Sequence, residues 1–331
     1  MPILKINNQT IIPVTVPTPY PVGDVNMYLA EEGSGTGLAL IDAAVNTDDA
    51  WELLMRSLTE AGYALKDIRR ILITHHHVDH VGLIDRIVSQ TAVPVYVHPD
   101  AIPRMKRDAE FLAKRIEFFR QLYQESGCGQ AGERQIDDLR RKLHDNAHLK
   151  VQADLLPVTE GNREGLAGYQ ALETPGHAPD HLVYLDNTHR VMFSGDHVLP
   201  HISSNALVEP DALGRRMPTL VKYRDMLRKC LVLQADLVFP GHGEPFKELQ
   251  PLIRRRLERI DDKAERLERL MKDAPKTAFQ LAETMYPKEV ERQFSLVMSE
   301  VIGLLDYLEA SGRAAKEMDR GVWRYFSVQI G

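Results

Sequence analysis

Short apolar runs separated by turn signals fill residues 1–100, and they predict the strands and helices of an α/β domain. The runs "IIPVTVP", "VNMYLA", "GLALIDAA", "RRILITH" and "VPVYVHP" have the length and composition of strands. Between them, "DDAWELLMRSLTEAG" carries apolar residues at helical spacing. Strand-like runs return at "YQALETP", "HLVYLD", "RVMFSGD" and "ADLVFPGHG", so the second half of the domain repeats the plan of the first.

Two stretches depart from this plan. Residues 103–146 are long, charged and helical in period, with a glycine-rich break at "SGCGQAG", and we interpret them as an inserted helical hairpin. Past Pro251, the helical run "LIRRRLERIDDKAERLERLMKDAP" and two further helical segments precede a hairpin with its turn near Arg320-Gly321. This order predicts a small helical, winged-helix-like C-terminal domain over residues 251–331, after a larger domain over residues 1–250.

Composition and charge narrow the class of protein. The chain has 331 residues, 44% of them hydrophobic, and a formal net charge of −6. No apolar run approaches the ~18 residues of a membrane-spanning helix, and the first residues lack the pattern of a signal peptide, so we expect a cytoplasmic protein without a membrane partner. The negative charge argues against a nucleic-acid partner. Cys128 and Cys230 have no Cys-x-x-Cys spacing, so nitrogen and oxygen must bind any metal.

The stretch "ILITHHHVDHVGL" crowds histidine and aspartate directly after an apolar run. Side chains two apart on a strand point the same way, so His75 and His77 share a face with Asp79. A helix beginning in "VGLIDRIVSQ" would turn His80 toward them. Imidazoles and a carboxylate around one small volume suit a divalent metal ion. A solvent-exposed loop would explain a lone histidine, but three later strand ends carry similar groups: His177 in "TPGHAPDH", Asp196 in "FSGDHVLP" and His242 in "FPGHGEP".

The ordered set "THHHVDH", "TPGH", "SGD" and "PGHG", spread over about residues 10–250, resembles the metallo-β-lactamase superfamily of metal-dependent hydrolases. The resemblance implies an α/β fold, an αββα sandwich to which the helical insertion and the C-terminal domain are added, with two divalent metal ions in its loops. Zn²⁺ is the expected metal, with iron and manganese as alternatives, because imidazole and carboxylate ligands bind all three. Position by position, the resemblance implies that His75, His77 and His177 bind the first ion, that Asp79, His80 and His242 bind the second, and that Asp196 bridges them.

The resemblance also implies a hydrolytic mechanism, in which the two ions share a bridging hydroxide and polarise the oxygen under attack. Asp79 is a candidate to accept a proton from that nucleophile. His197 and His201 are candidates to protonate a leaving group, and the alternative for each is an ordinary hydrogen-bonded loop residue. Asp42, which closes "LALIDAA", matches an aspartate that supports the metal loops.

The remaining histidines and two tyrosines carry weaker signals. His76 should point away from the metals, and His181 either supports a ligand or faces the substrate. Tyr28 and Tyr223 fit core packing better than a role in the pocket. Four further histidines have no partner motif and are expected at the surface: His98, His144, His148 and His189.

The motifs are most similar to those of the thioesterase and lactonase branches, so the predicted substrate is a small-molecule thioester, ester or lactone. The C-terminal region does not resemble the glutathione-binding helices of glyoxalase II. One alternative is a phosphodiesterase for single-stranded RNA, although residues 293–309 contain no Lys or Arg and fit a packing helix better than an RNA groove. Another is a partner-binding or homodimerisation module that uses the apolar stripe of the same segment, although such a stripe is more often internal core.

The insertion emerges just after "VYVHP", at the edge where the metal loops would lie. We expect a lid that buries an acyl chain and attracts an anionic group of the substrate. The alternative is a hairpin that packs on the sheet for stability alone. The apolar residues of this lid are Phe111, Ile116, Phe119, Leu122 and Tyr123, and its cations are Arg104, Lys106, Arg107, Lys114, Arg115 and Arg120.

Overall fold

Two sheets packed face to face form the centre of the chain. The computed structural model describes residues 3–7, 9–32, 37–162 and 164–328. The first sheet has seven strands in the order of the chain: β1 (Leu4–Ile6), β2 (Gln9–Val16), β3 (Val25–Glu31), β4 (Leu38–Ile41), β5 (Ile68–Leu72), β6 (Val95–Val97) and β7 (Leu155–Pro157). The second has four strands in the order β11-β10-β9-β8: β8 (Gln170–Glu173), β9 (Leu182–Asp186), β10 (Val191–Gly195) and β11 (Leu237–Pro240).

Helices cover the outer face of each sheet. The first sheet is covered by α1 (Asp48–Glu60), α2 (Val78–Val81), α3 (Ile84–Val88) and α4 (Ala101–Met105). The second is covered by α5 (Ala109–Glu125), α6 (Gly129–Asp145), α7 (Thr219–Cys230), α8 (Leu249–Leu270), α9 (Ala278–Met285), α10 (Glu289–Arg292) and α11 (Phe294–Ala310).

The alternation of side chains along a buried strand produces the four layers. All of β4 is buried, yet Leu38 and Leu40 pack with the helices of the first sheet, while Ala39 and Ile41 pack with Tyr184 and other residues of the second sheet. Successive side chains of a strand point to opposite faces, so one apolar run contributes to two cores. The predicted αββα sandwich is confirmed.

The insertion is a helical hairpin, as predicted, but its break is shorter than the sequence indicated. Helix α5 starts after Asp108, whose carboxylate accepts a hydrogen bond of 2.8 Å from the Phe111 N–H, an N-cap. The break predicted at "SGCGQAG" is present, but the hairpin turn occupies only residues 126–128 and α6 begins at Gly129. A Cβ on Gly132 would lie 2.9 Å from the Cβ of Tyr123. The glycine therefore lets α6 approach α5 and does not interrupt the helix.

The C-terminal region ends in a hairpin of β12 (Ala314–Asp319) and β13 (Val322–Ser327), which pair antiparallel. Arg320 and Gly321 have φ values of +50° and +84°, so the turn lies where it was predicted. None of the helices in the described ranges is both long and apolar enough to cross a bilayer. The division near residue 250 and the winged-helix comparison stay predictions. The apolar stripe of α11 is internal core, shared with the second sheet, and not an exposed docking surface: Phe294, Val297, Met298, Val301, Leu304, Leu305 and Leu308.

Candidate metal centre

Four loops bring seven histidine and aspartate side chains together at one edge of the sandwich. The chain leaves β5 extended and turns into α2 at Val78, with His77 as the N-cap residue, so the ligands on either side of the turn converge. The other loops follow β8, β10 and β11, and β10 and β11 are parallel, so their ends lie side by side. All seven residues predicted to bind metal meet here: His75, His77, Asp79, His80, His177, Asp196 and His242.

The first three histidines form one corner of the cluster. His77 Nδ1 lies 2.9 Å from His75 Nε2 and 3.1 Å from His177 Nε2. These separations are close to the edge of a tetrahedron with metal–nitrogen bonds of ~2.0 Å, which is ~3.3 Å. The three nitrogens can therefore surround a single ion.

A second corner is formed by Asp79, His80 and His242. The Nε2 atoms of His80 and His242 lie 3.9 Å and 3.6 Å from the carboxylate oxygens of Asp79. Asp196 lies between the corners: its Oδ1 is 3.6 Å from His80 Nε2, and its Oδ2 is 3.6 Å from His177 Nε2 and 3.5 Å from His242 Nε2. Asp196 is therefore close to ligands of both corners.

Hydrogen bonds on the far side of the rings assign the tautomers of His75 and His80. His80 Nδ1–H donates to Asp42 Oδ2 at 2.8 Å, and Thr74 Oγ1–H donates to the same oxygen at 2.8 Å. Thr74 Oγ1 can then accept from His75 Nδ1–H at 3.0 Å. Each Nε2 is left with a lone pair that points into the cluster, as metal ligation requires. Asp42 thus has the supporting position that the sequence indicated.

Backbone carbonyls orient the other two Nε2 ligands. His177 Nδ1–H donates to the carbonyl oxygen of Asn205 at 3.0 Å, and Ser204 Oγ lies at the same distance from that nitrogen. His242 Nδ1–H donates to the carbonyl oxygen of Asp24 at 2.8 Å. Both rings therefore also present a lone pair to the cluster.

Unsatisfied buried atoms support the fit of a metal at this position. His80 Nε2, His242 Nε2 and Asp196 Oδ1 are buried and have no hydrogen-bond partner among the described residues, and proteins rarely leave such atoms unpaired. A Cβ on Gly241 would lie 2.2 Å from Asp196 Oδ1 and 2.8 Å from His80 Cε1. Only glycine leaves space for the carboxylate here. The donor set of imidazole nitrogens and carboxylate oxygens matches borderline divalent ions.

The electrostatics of the cluster favour added positive charge. Burial and neighbouring histidines hold the pKa of His75 and His77 well below the usual range, so both rings are neutral. Burial also acts against a charged His80, but the carboxylates of Asp42, Asp196 and Asp79 outweigh it and raise its pKa to about 10. A divalent ion supplies at this point the charge that a proton would otherwise carry.

Two buried residues hold the ligand loops from behind. His181 Nε2 accepts a hydrogen bond of 3.1 Å from the Asp196 N–H, and its Nδ1 bonds Thr174 Oγ1 at 2.9 Å, so His181 is a supporting residue and not a substrate contact. Asp180, which we did not single out from "TPGHAPDH", accepts from the His76 N–H at 2.8 Å and from His76 Nδ1 at 2.6 Å. These bonds fix the middle of the three-histidine run. His76 also lines the cavity but is not part of the ligand cluster.

The structure does not bring His197 and His201 to the reaction site as proton donors. The His197 ring is fully buried beside Tyr223, at a centroid distance of 5.3 Å, and burial lowers its pKa to about 3. His201 is exposed and packs against Gly243, where a Cβ would lie 2.6 Å from its Nδ1. Neither ring lines the cavity described below, so the prediction that they protonate a leaving group does not fit their positions.

The other predicted residues divide between the core and the surface. Tyr28 and Tyr223 are buried and donate their hydroxyls to the carbonyl oxygens of Pro240 and His197, at 2.7 and 2.9 Å. His144 and His148 are exposed as predicted. The surface prediction is wrong for two histidines, which are half-buried because each ring has a hydrogen-bond partner: His98 and His189.

A cavity of about 650 Å³ opens onto the ligand cluster. Its floor includes five of the seven ligands, and its walls come from the insertion, through Phe111 and Leu139, and from the end of α11, through Leu296. A second cavity of about 310 Å³ shares Leu139 and Leu296 with it and reaches Phe119 and Tyr123. Four apolar side chains at the mouth are more than a third exposed: Tyr20, Val78, Ile202 and Leu296.

Comparison with known proteins agrees with this geometry. Residues 20–242 match the family model of the metallo-β-lactamase superfamily. A probable metallo-hydrolase of Bacillus subtilis, YqjP, is 35% identical over 92% of this chain and 94% of its own. The crystal structure of a metallo-β-lactamase family protein from Thermus thermophilus superposes with a TM-score of 0.76 and 27% identity, over 96% of this chain and 98% of that one.

One relative is named for its substrate. An Aspergillus fumigatus protein called atrochrysone carboxyl ACP thioesterase is 24% identical over 71% of this chain and 55% of its own. The metal-ligand geometry, the family match and the full-length relatives agree with one another. The chain belongs to the metallo-β-lactamase superfamily and is a metal-dependent hydrolase.

Proposed function

We propose that the protein hydrolyses a small thioester, ester or lactone with two divalent metal ions, Zn²⁺ being the expected metal. The observation that carries this proposal is the position of the ligand cluster, which forms the floor of a cavity whose other walls are largely apolar. Such a cavity can enclose an apolar substrate and place its carbonyl group against the metals. The relative named as a thioesterase supports the thioester class.

The residues of the chain have distinct parts in the proposed reaction. Two ions bound here would lower the pKa of a shared water and polarise the carbonyl oxygen under attack. Asp196 would contribute to both corners of the cluster, because its Oδ2 faces His177 of the first corner and His242 of the second. Asp79 lines the cavity and is positioned to accept a proton from the attacking water. The apolar walls exclude bulk water, which strengthens these electrostatic interactions.

Metal analysis tests the ligand assignment. Purified wild-type protein should contain about two divalent ions per chain, as a shared-water site requires. Asp196→Ala and His75→Ala should lose metal and turnover together, because each removes a ligand that has no substitute nearby. His201→Ala is the matched control and should keep both, since His201 lies outside the cavity. Full metal content with normal turnover in Asp196→Ala would refute the bridging role.

A substrate panel tests the reaction class. Thioesters, esters and lactones should be hydrolysed in a metal-dependent manner, while labelled single-stranded RNA should stay intact. Helix α11 is buried in the core and cannot form a cationic groove for RNA. Rapid metal-dependent cleavage of RNA, with inert esters and thioesters, would overturn the proposal.

A further inference from the structure

Most cations of the insertion already have partners. Arg104 and Arg115 both pair with the buried carboxylate of Glu209. Three other predicted cations do not line the 650 Å³ cavity: Lys106 donates to the carbonyl oxygens of Gln152 and Ala153 at 3.1 and 2.7 Å, Lys114 pairs with Glu110 at 2.6 Å, and Arg120 pairs with Glu117. These five cations are therefore either paired with a carboxylate or outside the cavity.

Two cations that line the 650 Å³ cavity above the ligand cluster are not paired with a carboxylate of any described residue. Arg107 and Lys142 face it, and neither has an ion pair with any residue in the part of the chain that the structure describes. Arg107 Nη2 donates to the carbonyl oxygen of Leu143 at 3.0 Å, which ties its guanidinium to the residue next to Lys142. The two charges therefore lie on the same wall, at the C-terminal end of α6.

Apolar side chains border these two cations. The same wall carries Phe111, Leu139 and Leu143. Arg107 is half-buried and Lys142 is exposed, so the guanidinium is partly shielded from water while the ammonium group stays in contact with it. A negatively charged group between Arg107 and Lys142 could accept charge-assisted hydrogen bonds from both.

We propose that Arg107 and Lys142 form an anion-binding subsite, which takes a phosphate or carboxylate group of the substrate. This rests on the proposed function, and it narrows the substrate to an acyl thioester or ester that carries an anionic group on either side of the scissile carbonyl. The anion has two possible sources. It is either a phosphate of a coenzyme A-type thiol or a terminal carboxylate on the acyl chain.

Matched substrates separate these sources. Octanoyl-coenzyme A carries phosphates, the octanoyl thioester of N-acetylcysteamine is neutral, and the suberyl monothioester of N-acetylcysteamine carries one terminal carboxylate. Arg107→Gln and Lys142→Gln should each raise KM roughly tenfold for the substrate whose anion binds here, a change of about 1.4 kcal/mol. The kcat/KM for the neutral thioester should stay within about twofold of wild type, since the metal centre is untouched.

Arg141→Gln is the matched control, because Arg141 precedes Lys142 on the same helix, is exposed and pairs with Asp138. It should leave the KM and the kcat/KM of all three substrates unchanged. If Arg107→Gln and Lys142→Gln raise the KM of the coenzyme A thioester, the subsite binds phosphate. If they raise the KM of the suberyl thioester, it binds carboxylate. Equal changes in kcat/KM for charged and neutral substrates, or no change for any of them, would overturn the proposed subsite. Lys142→Gln keeps the test valid if Arg107→Gln folds poorly, because Lys142 has no ion pair to lose within the described ranges.

Binding measurements distinguish failure of the subsite from failure of the proposed reaction. Free coenzyme A and suberate are titrated calorimetrically into the metal-loaded wild type and the three variants. If wild type hydrolyses no thioester but binds one of these probes in a way that depends on Arg107 and Lys142, the subsite stands and only the reaction is wrong. If neither probe binds wild type and no charged substrate is sensitive, the subsite is wrong.

Discussion

At the residue scale, a hydrogen bond at one ring nitrogen of a ligand histidine determines which nitrogen faces the metal site. Asp42 accepts from His80 and from Thr74, and Thr74 in turn accepts from His75, so one carboxylate orients ligands of both corners. Asp42 itself has a φ of +59°, a conformation that side-chain residues rarely adopt and that its surroundings must hold in place. The loss of this carboxylate should affect ligands at both corners of the cluster.

Asp42→Asn therefore tests the support of the ligands without removing one. The amide is neutral and can no longer accept charge-assisted bonds from both neighbours, so metal affinity should fall about 10- to 100-fold. Competition with a chelator measures the affinity, and circular dichroism checks the fold. Asp319→Asn is the control, since Asp319 pairs with Arg324 on the exposed C-terminal hairpin. Unchanged affinity in Asp42→Asn would mean that backbone contacts alone orient His80.

At the element scale, the insertion has two roles that divide along α5. Near the start of the helix, Phe111 lines the large cavity. Two to three turns later, Phe119, Leu122 and Tyr123 are buried in the core shared with the C-terminal helices. The lid and scaffold alternatives therefore apply to different parts of the same helix.

Alanine substitutions on α5 should separate these roles. Phe111→Ala should change the ranking of acyl chain lengths, because it enlarges the space beside the metal centre. Phe119→Ala should instead cost about 3–5 kcal/mol of unfolding free energy, as large core truncations do. Kinetics on a thioester length series and urea denaturation measure the two effects. The same loss of stability in both variants, with no change in ranking, would show that this helix is scaffold throughout.

The loop after β10 fastens the insertion through a buried charge. Glu209 bonds Arg115 and Arg104, and although burial alone raises the pKa of Glu209, these arginines lower it overall. A carboxyl group whose pKa is lowered by folding stabilises the protein above its unfolded pKa of ~4.3, and this stability is lost as the pH falls through the folded value.

Glu209→Gln should leave the buried Arg104 and the half-buried Arg115 without this counter-charge and cost about 3–5 kcal/mol at pH 7. The difference from wild type should narrow as the pH falls from ~4.3, where Glu209 of the unfolded chain takes up a proton, to the lower folded pKa, where the native carboxyl does. Urea denaturation across this pH range measures it. If the difference in unfolding free energy did not depend on pH, packing of the side chains and not the charge of Glu209 would hold the insertion against the loop. Glu117→Gln, an exposed residue of α5, serves as control.

Sequence patterns predicted the elements with strong periodicity and missed those without it. Strands β1 and β7, of three residues each, and helix α7 were not predicted. Strand β6 is equally short but lies in the longer apolar run "VPVYVHP", which made it detectable. The seven ligands were identifiable because they cluster in motifs at strand ends. Asp180, which supports His76, was missed because its role depends on a contact formed only in the folded chain: the two residues are 104 positions apart.

At the scale of the whole molecule, a buried arginine of the C-terminal region supports a loop of the metal centre. Arg256 of α8 is buried and donates to the carbonyl oxygens of Leu199 and Ile202, at 3.0 and 2.6 Å. The same loop continues to Asn205, whose carbonyl accepts from His177. Folding of the C-terminal helices is thereby connected to the orientation of a metal ligand.

Arg256→Gln should loosen this loop and weaken metal binding at the first corner, because His177 would lose part of its support. We expect a fall in metal affinity of about 10-fold, the lower end for loss of an outer hydrogen-bond partner. Chelator competition measures it against Arg255→Gln, an exposed neighbour on the same helix. Equal affinity in the two variants would confine the role of Arg256 to packing.

The apolar side chains at the cavity mouth bear on the speed of turnover as well as on capture of the substrate. Each methylene group that contacts them adds ~0.8 kcal/mol, or about fourfold in affinity. For an acyl substrate, the carboxylic acid product leaves past the same Tyr20, Val78 and Ile202 that received its precursor. Release of this product slows with every carbon added to the acyl chain. Once hydrolysis is faster than release, release limits the turnover rate. The proposed enzyme should therefore turn over fastest at an intermediate chain length, short of the one that it binds most tightly.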